Sequence, residues 1–595
     1  MKRGIIILLL VLGVCVNAQT RLTRQESAVE QDTVATEKKG KEKTLVYLEH
    51  SESLSFDEQL HPDAQFLRGN VIFRHDSALM YCDSAYFYEK TNSLDAFGHV
   101  RLEQGDTLKG YGDKLYYDGN RRFARFRNNV KLVHNEMQLT TDSLNYDRNA
   151  DRAWYFSRGV IVDSVNHLTS VWGQYTPYNN QAIFRDSVVL VNDKFTLVAD
   201  SLKYNTSSNI ADLVGETVIV YEEETTIRST LGWYNTKTEQ SMLLRRSSVV
   251  HTDGKSLTGD TIFYDKKIGH GRALRNIEMR DTVQKVTLYG NYCEADENDN
   301  WGFACDSALL VDWSEADNYS YMHADTLYTE EETFRLFSLV ERDSIMIDSV
   351  LTAQKPDTMW RDTTYDRVRA YRHVRVYRSD MQMICDSLVY LSKDSTMLLF
   401  GSPVCWNDDS QMSAQFITVY VKNGEVDYLH GVANAIAVQQ ESEHRFDQLA
   451  GKELYGYVVD GALRLIDVRG NAQTIVFPQE DDGTFVGMNK TESSFVKLYI
   501  KDKKIDYVVF TTATSGVMYP LDNLKDEDTH LGSFFWADSE RPKKPGDVFL
   551  HPEPTPRPVM GSQSASAVDD TTESDKQDRG SSKGRGGSRK NKVQK

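Results

Sequence analysis

Cysteine, proline and uncompensated positive charge are all scarce in this chain. Six cysteines in 595 residues cannot build the dense disulfide framework of a small secreted scaffold. Twelve prolines beside 31 tyrosines form a balance that leans towards strands. The 69 Lys+Arg are outnumbered by 87 Asp+Glu, for a net charge of −18. That excess argues against nucleic acid as a partner, because a phosphate backbone needs a basic footprint. Beyond the first twenty residues, no apolar stretch approaches the ~18 residues of a membrane-spanning helix. Paired Cys-x-x-Cys, His-Glu-x-x-His and P-loop motifs are missing, so no metal ligand, cofactor or catalytic residue is assigned and the chain reads as no enzyme. A Gly-x-Ser-x-Gly match at 580–584 falls in low-complexity sequence, without the strand-turn-helix context of a nucleophile elbow.

What is present begins with an export signal. Lys2 and Arg3 precede an apolar run from Ile5 to Val16, and Val16-Asn17-Ala18 fits a small-residue cleavage site before Gln19. A lipoprotein alternative would acylate Cys15, but Val14 is bulky for that processing. Without the signal, Cys82, Cys293, Cys305, Cys385 and Cys405 remain. An odd number leaves at least one unpaired within the chain.

The dominant feature is a repeat of about thirty residues. An apolar residue, a small residue, Asp, Ser or Thr, an aliphatic and an aromatic recur in order. The pattern runs through Met80-Tyr81-Cys82-Asp83-Ser84-Ala85-Tyr86-Phe87, then Leu139 to Tyr146, Leu197 to Tyr204, Leu257 to Tyr264 and Met383 to Tyr390. A partial copy contains Asp113, Leu115 and Tyr117. Between copies lie β-branched stretches led by Gly or a polar residue, such as Gly69-Asn70-Val71-Ile72-Phe73 and Gly98-His99-Val100. These are strands punctuated by polar turns. The apolar positions change parity at the Asp, so a bulge or corner is expected there, with both halves of the strand facing one way. Asp83, Asp113, Asp142, Asp200, Asp260 and Asp386 are therefore structural corner residues, expected to bond nearby backbone amides. A catalytic ladder of repeated Asp is not a reading that chemistry supports, since a reaction needs one constellation.

Such repeats predict an all-β fold, an elongated β-jelly roll or stacked β-solenoid, with one long core instead of several domains. The expected layout is a signal peptide at 1–18, a linker at 19–43 and repeats over 44–329. An insertion or irregular excursion then covers 330–369, with repeats again over 370–515 and a linker and disordered basic tail over 516–595.

The repeated Asp-Ser-x-x-Tyr corner, the Gly-x-Val strand and the export signal together resemble the OstA-like proteins. These are the LptA, LptC and LptD N-terminal domain family of lipopolysaccharide transport. The run from Val368 to Tyr377, followed by Cys385 to Tyr390 and Pro403-Val404-Cys405-Trp406, looks especially like the large members from Bacteroidetes. The resemblance implies a non-enzymatic periplasmic protein of outer-membrane assembly, with an outer-membrane association as an extension of that reading. Lipopolysaccharide or lipid A acyl chains would lie in an apolar groove. Other Lpt-type β-jelly rolls would join edge to edge, and an outer-membrane LptD-like protein would be a partner. Burying acyl chains is worth about 0.8 kcal/mol per CH₂. The candidate lining is Leu115, Tyr117, Leu144, Tyr146, Leu202, Tyr204, Ile262, Tyr264, Leu388 and Tyr390. Plain core packing is the competing reading for the tyrosines. A structural or adhesive β-solenoid with a closed core remains the alternative function.

Overall fold

A computed structural model describes residues 44–558, apart from 58, 60, 106–107, 135, 297, 341–345, 348–349, 352–356, 423–424, 481, 502–503 and 526–527. The signal peptide, Cys15, the first linker and the basic tail after residue 558 lie outside the described residues.

From Tyr47–His50 to Ser515–Tyr519 the strands pair antiparallel, each with strands next to it or no more than three places along the chain. The fold is a meander, so the thirty-residue repeat is one hairpin of two strands of 11 or 12 residues, as in Ala78–Tyr88 and Ser93–Gln104. The longest pair, the 21-residue strands Ser320–Val340 and Asp357–Tyr377, well exceeds this length. Its pairing continues from Tyr321 opposite Tyr377 out to Val340 opposite Asp357. Within the span 330–369, residues 330–340 and 357–369 thus extend two body strands in register, and the residues of the expected excursion between them lie mostly outside the described residues.

The corner expected at the repeated Asp is present, and the extra residue sits on the neighbouring strand. In Ala78–Tyr88 the buried positions are Ala78, Met80, Cys82, Ala85 and Phe87, with the parity break between Cys82 and Ala85. Opposite them, Leu67 pairs with Ala85 and Val71 with Cys82. One strand therefore turns the corner in three steps and its partner in four. The fourth step is taken by Gly69 and Asn70, both in the left-handed region. This two-against-one bulge recurs, for example at Gly98-His99, Asn128-Asn129, Arg275-Asn276 and Arg372-His373. A bulge bends a strand and raises its twist. Repeated in register, it folds one continuous sheet into two walls that meet along a common corner.

Three apolar clusters result. Residues Val46 to Tyr155 form the first and Leu168 to Leu498 the second, both between the walls. The third lies on the outer face of one wall, where Val404, Trp406, Ile436, Val438 and Ile475 meet Leu531, Phe535 and Ala537. Residues 516–558 are therefore not a free linker. They form a strand and then a strap across the sheet, because the wall beneath presents apolar residues on both faces: Cys405 inward, Val404 and Trp406 outward.

Candidate functional site

The six corner aspartates lie at the bend, where side chains pair instead of capping backbone amides. Asp83 accepts from or pairs with His99 Nδ1 at 2.8 Å. Asn129 and Asn276 each donate through Nδ2 at 2.7 Å, to Asp113 and Asp260 respectively. Each of these partners is the second left-handed residue of the adjacent bulge. Asp386 accepts from its neighbour Ser387 at 2.8 Å. Asp142 and Asp200 occupy the same register position, on the strands Met137–Asp147 and Phe195–Asn205. Asp83, Asp113 and Asp260 therefore fasten the corner to the adjacent bulge, and all six aspartates face away from the interior.

At the opposite edge, the free margins of the two walls face each other. Upward strands end on one margin and downward strands on the other. In a flat sheet these ends would lie roughly 35 Å apart, at about 3.3 Å per residue over eleven residues. Instead they touch. His75, the last residue of Gln65–His75, meets Tyr117, next to last in Leu108–Asp118, at 2.6 Å. Arg148 donates to the Tyr117 oxygen at 2.8 Å, so this oxygen is shared between the Arg148 guanidinium and the His75 ring. His75 Nε2 lies 2.8 Å from Thr44 Oγ1. Burial holds the His75 pKa below its ordinary value and raises that of Tyr117, which keeps both rings neutral.

The same contact repeats along the margin. Tyr146 donates to Gln104 at 3.3 Å, and Arg148 donates to that Gln104 oxygen at 2.9 Å. Tyr175 meets His134 at 3.2 Å, and the Tyr234 ring packs on Phe195 with centroids 5.5 Å apart. Lys194 pairs with Glu239, and Lys266 with Glu222 at 3.3 Å. From Thr44 to Lys266 the margins are thus zipped together.

The residues expected to line a groove are distributed by this closure. Leu115, Tyr117, Leu144 and Tyr146 belong to the first interior cluster. Leu202, Ile262 and Leu388 belong to the second, with Tyr204 and Tyr390 packed against it. Tyr264 is half-buried. All five aliphatic residues are buried, and the space around them is filled by neighbouring side chains.

Open space appears further along, where the walls separate around a cavity of about 260 Å³. One wall contributes Met381, Met412 and Leu449, and the other Leu429, Leu454 and Ile466. Arg378, Asp380, Glu315 and Asp460 stand among the lining residues as its charged groups. Arg378 holds Asp380 through two hydrogen bonds of 2.6 and 2.7 Å. Asp447 is also among the lining residues; burial pushes its pKa up to about 8, against the opposing pull of the Phe477 N–H at 2.8 Å.

The cavity follows from side-chain size. Among the largest fully buried side chains, Trp406 apart, all lie between Leu67 and Tyr155. Around the cavity the interior positions are small, with Ala435, Ala437, Gly451 and Gly456 facing inward. The sequence reading missed this region because it followed the Asp-x-x-x-Tyr copies, which stop at Tyr390. The available signal was the replacement of Leu and Tyr by Ala, Gly and Met within otherwise intact strands.

Residues 43–200 match the family described as OstA-like protein. No curated protein matches the chain. Among solved structures, the chain is similar to LptH of Pseudomonas aeruginosa, the LptA-homologous periplasmic component of its lipopolysaccharide transport device. The identity is 14% and the TM-score 0.19, over 24% of this chain and 99% of that one.

Proposed function

We propose that this chain is a non-enzymatic periplasmic carrier in lipopolysaccharide transport, shielding acyl chains between its two walls. The OstA-like match over 43–200 supports the class. The carrying observation is the contrast along the interior: a zipped margin up to Lys266 and an apolar cavity between separated walls over 378–505. An acyl chain entering that cavity leaves water at about 0.8 kcal/mol per CH₂, while a charged head stays at the rim with Arg378 and Asp460. The interior of the zipped part, with Leu115, Tyr117, Leu144, Tyr146, Leu202, Tyr204, Ile262, Tyr264, Leu388 and Tyr390, continues the same apolar path. It becomes available when the tyrosine contacts part. The exposed end strands Ser53–Phe56 and Ser515–Tyr519 offer edges for strand addition by other Lpt-type jelly rolls, including an LptD-like outer-membrane partner.

Photo-crosslinkers placed at Leu463 and at Leu144 test this reading in cells that make lipopolysaccharide. Adducts with lipopolysaccharide are expected at Leu463 first and at Leu144 only when Tyr117 and Tyr146 are replaced by Phe. A complete lack of lipid adducts at both positions would leave the closed structural β-fold as the correct account.

A further inference from the structure

The outer face of one wall that bounds the cavity carries a cross-strand row of residues, all but one of them aromatic. Tyr420 pairs with Tyr428, Tyr428 with Tyr457, Tyr457 with Leu465, Leu465 with Tyr499 and Tyr499 with Tyr507. Tyr420 and Tyr428 stack with centroids 4.2 Å apart, and Tyr499 and Tyr507 at 4.3 Å. Tyr428 and Tyr457 follow at 5.6 Å. Successive residues of a strand face opposite sides. Leu429, Val458 and Leu498, which line the cavity, are the direct sequence neighbours of Tyr428, Tyr457 and Tyr499. The tyrosines therefore stand on the far side of the wall that the cavity touches.

The row has one gap. At Leu465 no ring stands between Tyr457 and Tyr499, which are two strands apart, a span of about 10 Å. Leu465 forms the floor of this slot, and two tyrosine rings form its sides. Stacking on both sides needs about 3.5–4 Å per contact, so the slot accepts one six-membered ring. The next outward positions are Asp467 and Lys497, cross-strand partners of each other. Lys497 is exposed, and Asp467 is bonded to Arg469 at 2.8 Å. Asp467 is itself buried, so the charged group open to a ligand beside the slot is the Lys497 cation. A ring bearing several hydroxyls uses both kinds of surface, apolar faces and polar edges. A second alkyl chain would leave the cation unused.

The slot also lies where a head group would emerge. Asp460 and Gly461 form the turn between the strands Arg445–Val459 and Ala462–Val476, and both line the cavity. Tyr457 and Leu465 are each four residues from Gly461 on the outward face of those two strands. An amphiphile with its chain in the cavity crosses this turn and arrives at the slot.

We infer that the Tyr457–Leu465–Tyr499 slot holds one pyranose ring of the saccharide head of the amphiphile whose acyl chain fills the cavity. The inference rests on the carrier reading given above. Three probes separate the two, with the full chain: palmitate, rough lipopolysaccharide, and the de-acylated oligosaccharide prepared from it. Tyr457→Ala and Tyr499→Ala should each weaken rough lipopolysaccharide binding about tenfold, the scale of one lost aromatic stack. Both should leave palmitate binding unchanged, which also reports an intact fold. Leu465→Trp, which fills the slot, should do the same. Saturation transfer to the de-acylated oligosaccharide should be seen with the native chain and vanish in the variants. Unchanged lipopolysaccharide affinity in all three variants overturns the slot while leaving the cavity intact. So does an equal loss for palmitate, since the row would then only brace the sheet. Native chain that takes up the oligosaccharide but no palmitate overturns the cavity and leaves the slot standing.

Discussion

The strap formed by residues 528–558 is held in part by two glutamines used in the same way, and removing both should loosen it. Gln411 Nε2 donates to the Phe535 carbonyl at 2.9 Å, and its Oε1 accepts from Ala537 N–H at 2.8 Å. Gln448 repeats this on Thr529 and Leu531, again at 2.9 and 2.8 Å. Each side-chain amide thereby substitutes for a neighbouring strand. Both glutamines are buried, at 1% and 0% exposure, so water does not compete for these bonds. Four such bonds contribute a net of about 4 kcal/mol at about 1 kcal/mol each. The apolar anchors Leu531, Phe535 and Val548 contribute about 1.5–3 kcal/mol each. Gln411→Ala with Gln448→Ala therefore removes a third to a half of the strap's hold. Local opening should become about a thousandfold more frequent, since 1.4 kcal/mol is a factor of ten. Hydrogen exchange followed by mass spectrometry reads this directly in peptides covering 529–540. Exchange there should accelerate while peptides from 65–155 stay protected. Unchanged exchange over 529–540 would refute the clamp argument, and uniform acceleration across the chain would show that strap and sheet unfold as one unit.

Other expectations follow from single side chains. Asp447→Asn should flatten the pH dependence of thermal stability: its folded pKa is about 8 against an ordinary 3.8, so the folded chain holds a proton the unfolded chain lacks between these values. Stability from this group is greatest below pH about 4 and declines as pH rises to about 8; the variant should gain on the native chain at pH 9 relative to pH 5, and parallel melting curves would disprove it. Gly98→Ala should cost about 1–3 kcal/mol in a denaturant melt, because φ is +75° and an added Cβ would lie 2.4 Å from Asp83 Oδ2. Tyr117→Phe removes the hydroxyl shared by His75 and Arg148. It should destabilise by about 1–3 kcal/mol, and a neutral outcome would mean that water replaces the oxygen.

The corner was legible because parity is a strict constraint. A strand whose apolar positions shift from Met80 and Cys82 to Ala85 and Phe87 must bend to keep one face buried. The side taking the extra residue was hidden, since Gly69-Asn70 and Arg275-Asn276 share left-handed geometry but little sequence. The motif tyrosines were found, but their bonds were not. Tyr117 is joined to His75 across 42 positions and Tyr146 to Gln104 across 42, and no local pattern encodes how two margins align when a sheet folds over. The strap was obscured for a different reason. Its sequence, with Pro542, Pro545, Pro552 and Pro554, forms few ladder bonds of its own, and its order comes from Gln411, Gln448 and the Arg375 guanidinium, which donates to Glu540 O at 2.6 Å. Tertiary partners 81 to 165 positions away determine it.

Strap and cavity occupy opposite faces of the same wall, and the energetics explain the pairing. A void of about 260 Å³ forfeits packing on its lining, at about 24 cal/mol per Å³, or about 6 kcal/mol. That loss falls on strands such as Ser410–Ser413, Glu425–Ser442 and Arg445–Val459. On their outer side, Leu531 and Phe535 return about 3–6 kcal/mol by burial. The wall can stay ordered around an empty interior because its second face is packed. The zipped part, filled by Phe73, Tyr117, Phe126 and Tyr155, needs no such cover, and none lies over it among the described residues. The strap thus offsets, on one of the two walls, packing that the cavity removes, which ties it to the open segment and not merely to the end of the chain.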